Sequence, residues 1–486
     1  MSSSAQKAVN RGVARAIPVL LLAIIGHAIF TFVDQLCVKY LIRPPITSPH
    51  GPRSGTAAGL IVGFFILLIP VLVTFGRLLH LIATNPGVLP RGALWHERRR
   101  RRRSLPRESE KPTPVNPGNM RCTAQPRNPT PESVPLDDQR NIQNPPPGLE
   151  KYYNRPLFAC EDDGYPRWCA KCLDWKPERA HHCSEVDRCV QKLDHFCPWV
   201  GGVVSITSFK FFIQFVSYSA ALCIYVMVTL AIFTAEQDAD SHTFNVHWIV
   251  AVAISGLLGL FTLGMSGTSL HLALVNSSTI ENFDRKTKVW QLAVYLPDPT
   301  VDVQTYATTA GDMCPATKVT FPPLSYLERL PADAPLPPSR TFCVLRTLPG
   351  QNPWNCGPAR NFRDVMGEHW YQWVLPVKLS PLLNRGPDES LYLTGRVVRK
   401  MMRKSGISAA DRQSSRSNTD TLSRGVGEGS EPRTEQRKRR RRGRTTSTAR
   451  DQEEQAGSQK GKKAGHTKRE GSLQSRPEDS AVSGMS

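Results

Sequence analysis

Four long apolar runs dominate the first 275 residues of the chain, at 16–42, 57–83, 209–233 and 248–275. About 20 apolar residues cross the hydrocarbon of a bilayer as a helix, so each run reads as a transmembrane span, the longer ones tilted. The first run is interrupted by His27 and Asp34. A carboxylate in hydrocarbon is costly, which puts Asp34 near a helix end or against the bundle interior. In the second run Gly55, Gly59 and Gly63 recur at small-xxx-small spacing, a pattern that lets a neighbouring helix approach closely. Pro70 predicts a kink there, and Thr84-Asn85-Pro86-Gly87 ends the helix. The first run is too long for a signal peptide and lacks a small-residue cleavage site.

The polar stretches complete the organisation. Residues 1–15 form a short basic N-terminus, and 84–155 read as a basic, Pro-rich flexible linker without apolar periodicity. Residues 156–206 form a small cysteine-rich unit. After the fourth span, 276–384 combine an irregular Pro-rich insertion with an amphipathic element around Trp354 and Trp370-Tyr371-Gln372-Trp373, suited to a membrane surface. Residues 385–486 have the composition of a disordered basic tail. The fold class is therefore an α-helical polytopic membrane protein, with a small cytosolic, zinc-binding, cysteine-rich domain between spans two and three.

Charge sharpens this picture. The formal net charge of +21 is concentrated at Arg98–Arg103 and Arg437–Arg442. Alone, such clusters would suggest nucleic acid; beside four spans they mark the cytosolic side and the lipid headgroups, and no nucleic acid partner is expected. The loop between spans three and four holds Glu236, Asp238 and Asp240, so the positive-inside rule places both termini and the cysteine-rich unit in the cytosol. Arg43 and Arg53 in the first loop count against this assignment. The expected location is an endomembrane or the plasma membrane.

Of the 12 cysteines, Cys160, Cys169, Cys172, Cys183, Cys189 and Cys197 crowd together with histidines, which suits a reduced metal-binding segment better than a disulfide scaffold. Cys169-x-x-Cys172 presents two thiolates to one ion, and His182 with Cys189 completes three thiolates and an imidazole. A closed set of four protein ligands implies a structural zinc, which would order a segment poor in apolar residues. Asp194, His195 and Cys197 form a different group: a thiol, an imidazole able to take its proton, and a carboxylate able to orient that imidazole. Pro198 disfavours helical geometry at Cys197, so this group needs a turn. By spacing alone, His195 or Cys197 could equally be a further zinc ligand.

The run CAKCLDWKPERAHHCSEVDRCVQKLDHFCPWVGGV, residues 169–203, resembles the cysteine-rich domain of the DHHC family of protein S-acyltransferases. Asn85-Pro86-Gly87, Asn276-Ser277-Ser278-Thr279-Ile280-Glu281 and Asn352-Pro353 with Asn361 match further family motifs, the likeness being greatest to filamentous-fungal members in which PWVGG replaces PWVNN. The resemblance implies two interleaved zinc sites. The ligands of the first fall on Cys169, Cys172, His182 and Cys189; those of the second fall on Cys183, Val186, Phe196 and Val203, so three of four are lost from one site and none from the other. Val186, Phe196 and Val203 are expected to replace the second ion with an apolar cluster, leaving one structural zinc.

The resemblance further implies that Cys197 attacks a long-chain acyl-CoA, typically palmitoyl-CoA, and passes the acyl group to cysteines of membrane-associated substrate proteins. His195 would be the general base and Asp194 its orienter, with Lys176 and Arg179 as candidates for the CoA phosphates. Trp199 is either a shield for the thioester or an interfacial anchor, and Thr279 and Glu281 either support the catalytic loop or cap a helix. The rival reading is a catalytically silent zinc-binding membrane scaffold, which would have no use for Cys197.

Overall fold

In the computed structural model, residues 3–44, 49–104, 145–300, 317–323, 338–384 and 392–407 are described, with a few positions between 303 and 327. Among the described residues four helices are long and apolar enough to cross a membrane. The first is α1 (Ser3–Ile29), which runs on as a π-helical stretch (Phe30–Ile42); then come α2 (Ser54–Thr84), α5 (Phe209–Ser241) and α6 (Val246–Val275). Their outer faces carry exposed Val62, Ile66, Leu257 and Leu260, as expected of side chains that meet lipid. Their inner faces interlock: Phe32 stacks on Phe64 at 4.6 Å, Phe75 on Phe215 at 5.2 Å, and the Ser217 and Ser266 hydroxyls bond at 2.7 Å.

One expectation for α2 needs correction. Of the three spaced glycines only Gly63 meets a neighbour: a Cβ there would lie 2.7 Å from the Tyr225 hydroxyl, whereas Gly55 and Gly59 have open space. The helix continues through Pro70, and the Thr74 hydroxyl donates to the Pro70 carbonyl at 2.7 Å. Asp34 pairs with Lys39 at 2.8 Å within the π-helical stretch. At the far end of the bundle, Arg53 grips Glu236 with both terminal nitrogens, and Tyr40 donates to the same carboxylate at 2.9 Å.

Between α2 and α5 the chain forms α3 (Ala93–Ser104), the short α4 (Glu150–Tyr153) and strand β1 (Leu157–Cys160). Three small antiparallel hairpins follow: β2 (Trp168–Cys169) with β3 (Asp174–Trp175), β4 (Ala180–Cys183) with β5 (Arg188–Gln191), and β6 (His195–Cys197) with β7 (Gly202–Val204). Beyond α6 lie α7 (Thr279–Phe283), β8 (Gln291–Leu296), a two-residue pair β9 (Tyr306–Ala307) and β10 (Met313–Cys314), then β11 (Thr317–Phe321) and β12 (Arg340–Arg346).

The Pro-rich insertion is thus not merely irregular. It supplies three strands that join β1 in an antiparallel sheet of order β1-β8-β12-β11. The sheet buries Phe158, Phe321, Phe342 and Trp175, an aromatic core beside the hairpins. After it come α8 (Pro358–Met366), α9 (Trp370–Val374) and α10 (Arg396–Lys404). The α10 segment corrects the reading of 385–486 as wholly disordered: Tyr392, Val398, Met401 and Ile407 are buried in the main core. The linker is likewise ordered at both ends, while its middle, 105–144, and the basic run at 437–442 lie outside the described residues.

Candidate active site and metal centre

Short hairpins with few apolar residues cannot hold themselves together, so the cysteine-rich unit needs other fastenings. The first is a knuckle. Cys169 and Cys172 approach His182 from one hairpin and Cys189 from another, with their sulfurs 3.6, 3.5 and 4.0 Å from His182 Nδ1. All four ligand atoms lie within 4.8 Å of one another, a spacing that can hold one tetrahedral metal ion. Hydrogen bonds from Cys172 and Cys189 lower the Cys169 thiol far below its usual range, and the same bonds raise those two partners. His182 Nε2 points toward Asp187 at 3.6 Å, a carboxylate placed to orient the ring. Among the described residues one other group of three gathers, His50, Glu236 and Asp240, but Arg53 already holds its Glu236.

The second fastening is apolar. Cys183, Val190, Leu193 and Val203 are buried together, with Val88, Val186, Phe196 and Ile280 packed against them. The apolar cluster expected of Val186, Phe196 and Val203 is present, and they converge with Cys183. Each fully buried aliphatic or aromatic side chain contributes about 1.5–3 kcal/mol.

The third element is the β6–β7 hairpin. His195 pairs with Val204 and Cys197 with Gly202, and the turn between them runs through Pro198, Trp199 and Gly201. Gly201 sits at φ 79, a left-handed conformation disfavoured for other residues, and a Cβ on Gly202 would meet Ile82 of α2 at 2.7 Å. The Gly-Gly pair thus lets the hairpin turn tightly and press against the membrane end of α2.

Asp194, His195 and Cys197 come together on this hairpin. Asp194 Oδ2 accepts from His195 Nδ1 at 2.7 Å and from the Thr279 hydroxyl at 2.9 Å; its Oδ1 accepts from the Thr279 amide at 2.9 Å. Three donors fix the carboxylate in place. Burial resists charging of His195, but its bonds with Asp194 and Cys197 prevail and raise the imidazole to about 9. Nε2 of His195 is buried without a closed hydrogen bond, so its link to the thiol is loose, as is usual before substrate tightens a site. The ring also meets the edge of Phe212 at 5.1 Å.

Thr279 is held by its own small helix. Ser278 and Glu281 form a reciprocal capping box on α7, and Glu281 is in turn clamped by Arg179 at 2.8 and 2.6 Å. The two readings of Thr279 and Glu281 are therefore one: the cap is the support. Arg179 also donates to the Asn276 side chain and carbonyl, both at 2.8 Å, and lies 4.8 Å over the Tyr392 ring. Its side chain is 0% exposed. This corrects its assignment to CoA phosphates, because the guanidinium is spent inside the protein. Lys176, by contrast, lines an open polar cleft with Arg167, His181 and Lys288.

Sequence reasoning missed Lys192, a buried amine 3.4 Å from Asn276 Oδ1. Burial, and then Arg179, pull it down to about 7. Its flanks, Val190 and Leu193, are buried, and that apolar setting was the one available signal.

Cys197 and Trp199 border an apolar cavity between the helices, walled by Leu21, Leu68, Phe215 and Phe261 among others. Trp199 tilts against Phe261 at 5.5 Å, so it forms part of the cavity rim.

A family model for the DHHC palmitoyltransferase matches residues 163–286. Palmitoyltransferase pfa5 of Aspergillus fumigatus is 38% identical over 422 residues, covering 83% of this chain and 92% of the relative. Palmitoyltransferase pfa5 of Emericella nidulans is 36% identical over 447 residues, covering 85% and 89%. Palmitoyltransferase PFA3 of Yarrowia lipolytica is 30% identical over 256 residues, about half of each chain. With likeness running through spans, knuckle and hairpin alike, the chain belongs to the DHHC palmitoyltransferase family, whose members are protein S-acyltransferases.

Proposed function

We propose that this protein moves a long-chain acyl group, palmitate in the first instance, from acyl-CoA to cysteines of membrane-associated proteins through a thioester on Cys197. The observation that carries this reading is the placement of Cys197: its thiol borders the apolar cavity among the spans while its hairpin also bears His195 and Asp194. An acyl chain lies in that cavity with its thioester at the hairpin. His195 takes the Cys197 proton; the thiolate attacks the thioester carbonyl, and CoA leaves as a thiol with the proton returned by His195. A substrate cysteine, deprotonated by the same imidazole, then attacks the acyl-enzyme and regenerates Cys197. Asp194, fixed by Thr279, holds the imidazole orientation throughout.

Lys176, with Arg167 and Lys288 around its cleft, supplies cationic partners for CoA phosphates in place of Arg179, while burial holds His181 down to about 4 and so neutral. One structural zinc at Cys169, Cys172, His182 and Cys189 ties the hairpins together and takes no part in bond making. The cysteine-rich domain and both termini face the cytosol, where acyl-CoA is met.

The test is incubation of purified protein with labelled palmitoyl-CoA. Hydroxylamine-sensitive label on the wild type and none on Cys197→Ser supports the enzyme. An unlabelled wild type that still binds zinc refutes it in favour of a silent scaffold.

A further inference from the structure

After α2 ends at Thr84, the chain is bolted to the metal knuckle before it is released. Leu89 donates its amide to the Cys189 carbonyl at 2.8 Å, and Gly92 donates to the Cys172 carbonyl at 3.0 Å, both residues being metal ligands in the proposal above. Arg188 donates to the Leu89 carbonyl at 2.7 Å, and Arg91 binds the Asp187 carboxylate at 2.8 Å. A Cβ on Gly92 would stand 1.7 Å from the Leu173 carbonyl, so glycine alone lets the backbone lie this close. The start of α3 is therefore fixed to the knuckle.

From there α3 leads away. None of its side chains is buried, and its Arg98–Arg103 run is fully exposed. Among the described residues its one carboxylate, Glu97, pairs with Arg101. Six consecutive arginines on a helix make three like-charge pairs at i,i+3 and two at i,i+4, each unfavourable in isolation. Arg91 and Arg99 stack on the Trp95 ring at 3.9 and 5.2 Å, so an indole of the kind that favours the headgroup zone sits at the root of the cationic stretch. Only eight residues, 85–92, separate α3 from the end of α2. The cluster thus stands at the bilayer surface, where anionic headgroups are the concentrated counter-charge.

We infer that α3 is an electrostatic foot that docks on anionic phospholipid of the adjacent leaflet and, through the bolted 85–92 segment, holds the metal knuckle against the membrane. The inference does not depend on the acyl-transfer chemistry.

The test uses the full chain in nanodiscs of phosphatidylcholine alone or with about one fifth phosphatidylserine, and hydrogen exchange of residues 89–104 as the readout. Anionic lipid should slow exchange there at least several-fold, and 0.5 M salt should reverse the effect, since the Debye length falls to a few ångströms. A variant with Arg98 to Arg103 all changed to Gln should show no lipid dependence while keeping its zinc content and melting temperature. Equal exchange in both lipids, or an unaltered lipid response in the variant, overturns the proposal. So does protection by an acidic peptide in phosphatidylcholine discs that matches the effect of anionic lipid, because α3 would then be a protein-docking surface.

Discussion

Replacing Arg179 by Met removes the cation from a site where Glu281 is 5% exposed and has Arg179 as its main counter-charge. Burial would raise the Glu281 carboxyl, but Arg179 holds it below its ordinary range. Breaking a buried pair by deleting one partner costs about 3–5 kcal/mol, because the other charge is left uncompensated. The Asn276 side chain and carbonyl each lose one donor as well, keeping Lys192 and Asn352 respectively. For a chain of this size the loss corresponds to a fall in melting temperature of roughly 3–5 °C. Changing both residues, Arg179→Met with Glu281→Leu, restores most of the stability, since a buried pair and an apolar pair of similar volume are nearly equivalent. The residual deficit is about 1 kcal/mol from the broken capping box. Thermal unfolding of the detergent-solubilised protein across the four-member cycle measures the coupling directly. Whatever folds of the single variant should keep its apparent affinity for acyl-CoA. An Arg179→Met protein with wild-type melting and a many-fold higher KM for acyl-CoA would refute the buried-strut account and return Arg179 to the CoA phosphates.

Further outcomes follow from the same geometry. Elemental analysis should give one zinc per chain; Cys183→Ala should keep it and Cys172→Ala should lose it, and two zinc ions would sink the apolar-cluster account. Thr279→Val removes a 2.9 Å donor to a charged carboxylate and should lower kcat about tenfold with KM little changed, in line with roughly 1.5 kcal/mol for such a bond. His195, raised to about 9 from 6.5, stabilises the fold fully below about pH 6.5 and loses that contribution as pH climbs through 9. The melting-temperature advantage of wild type over Asp194→Asn should therefore be greatest in mild acid and shrink as pH climbs through 9, leaving only what the two Thr279 bonds contribute; a gap that widens with pH contradicts the raised imidazole. Lys176→Gln combined with Lys288→Gln should raise KM for acyl-CoA while leaving the melting temperature in place, and an unchanged KM would remove that cleft from the donor site.

The parts legible in the sequence were those whose signal is local. Spans declare themselves by length, and Cys169, Cys172, His182 and Cys189 by spacing within 21 residues. The Asp194-His195-Cys197 group is equally local, and the structure adds its third dimension through Thr279, 85 residues away. The β1-β8-β12-β11 sheet was illegible because its first pairing joins Leu157 to Val294, and short apolar strands without a nearby turn signal have no distinguishing period. Arg179 misled for a similar reason. A basic residue in a basic loop reads as solvated, and only the fold reveals that Glu281 waits 102 residues downstream.

The apolar cluster of Val186, Phe196, Val203 and their neighbours changes what the nucleophile's support is vulnerable to. A metal site opens when its thiolates are protonated, oxidised or out-competed by a chelator. Methyl groups and a phenyl ring respond to none of these. Their cohesion does weaken on cooling, because apolar hydration carries a large heat capacity. Cold, rather than acid or a chelator, is what loosens this side of the hairpin that carries Cys197.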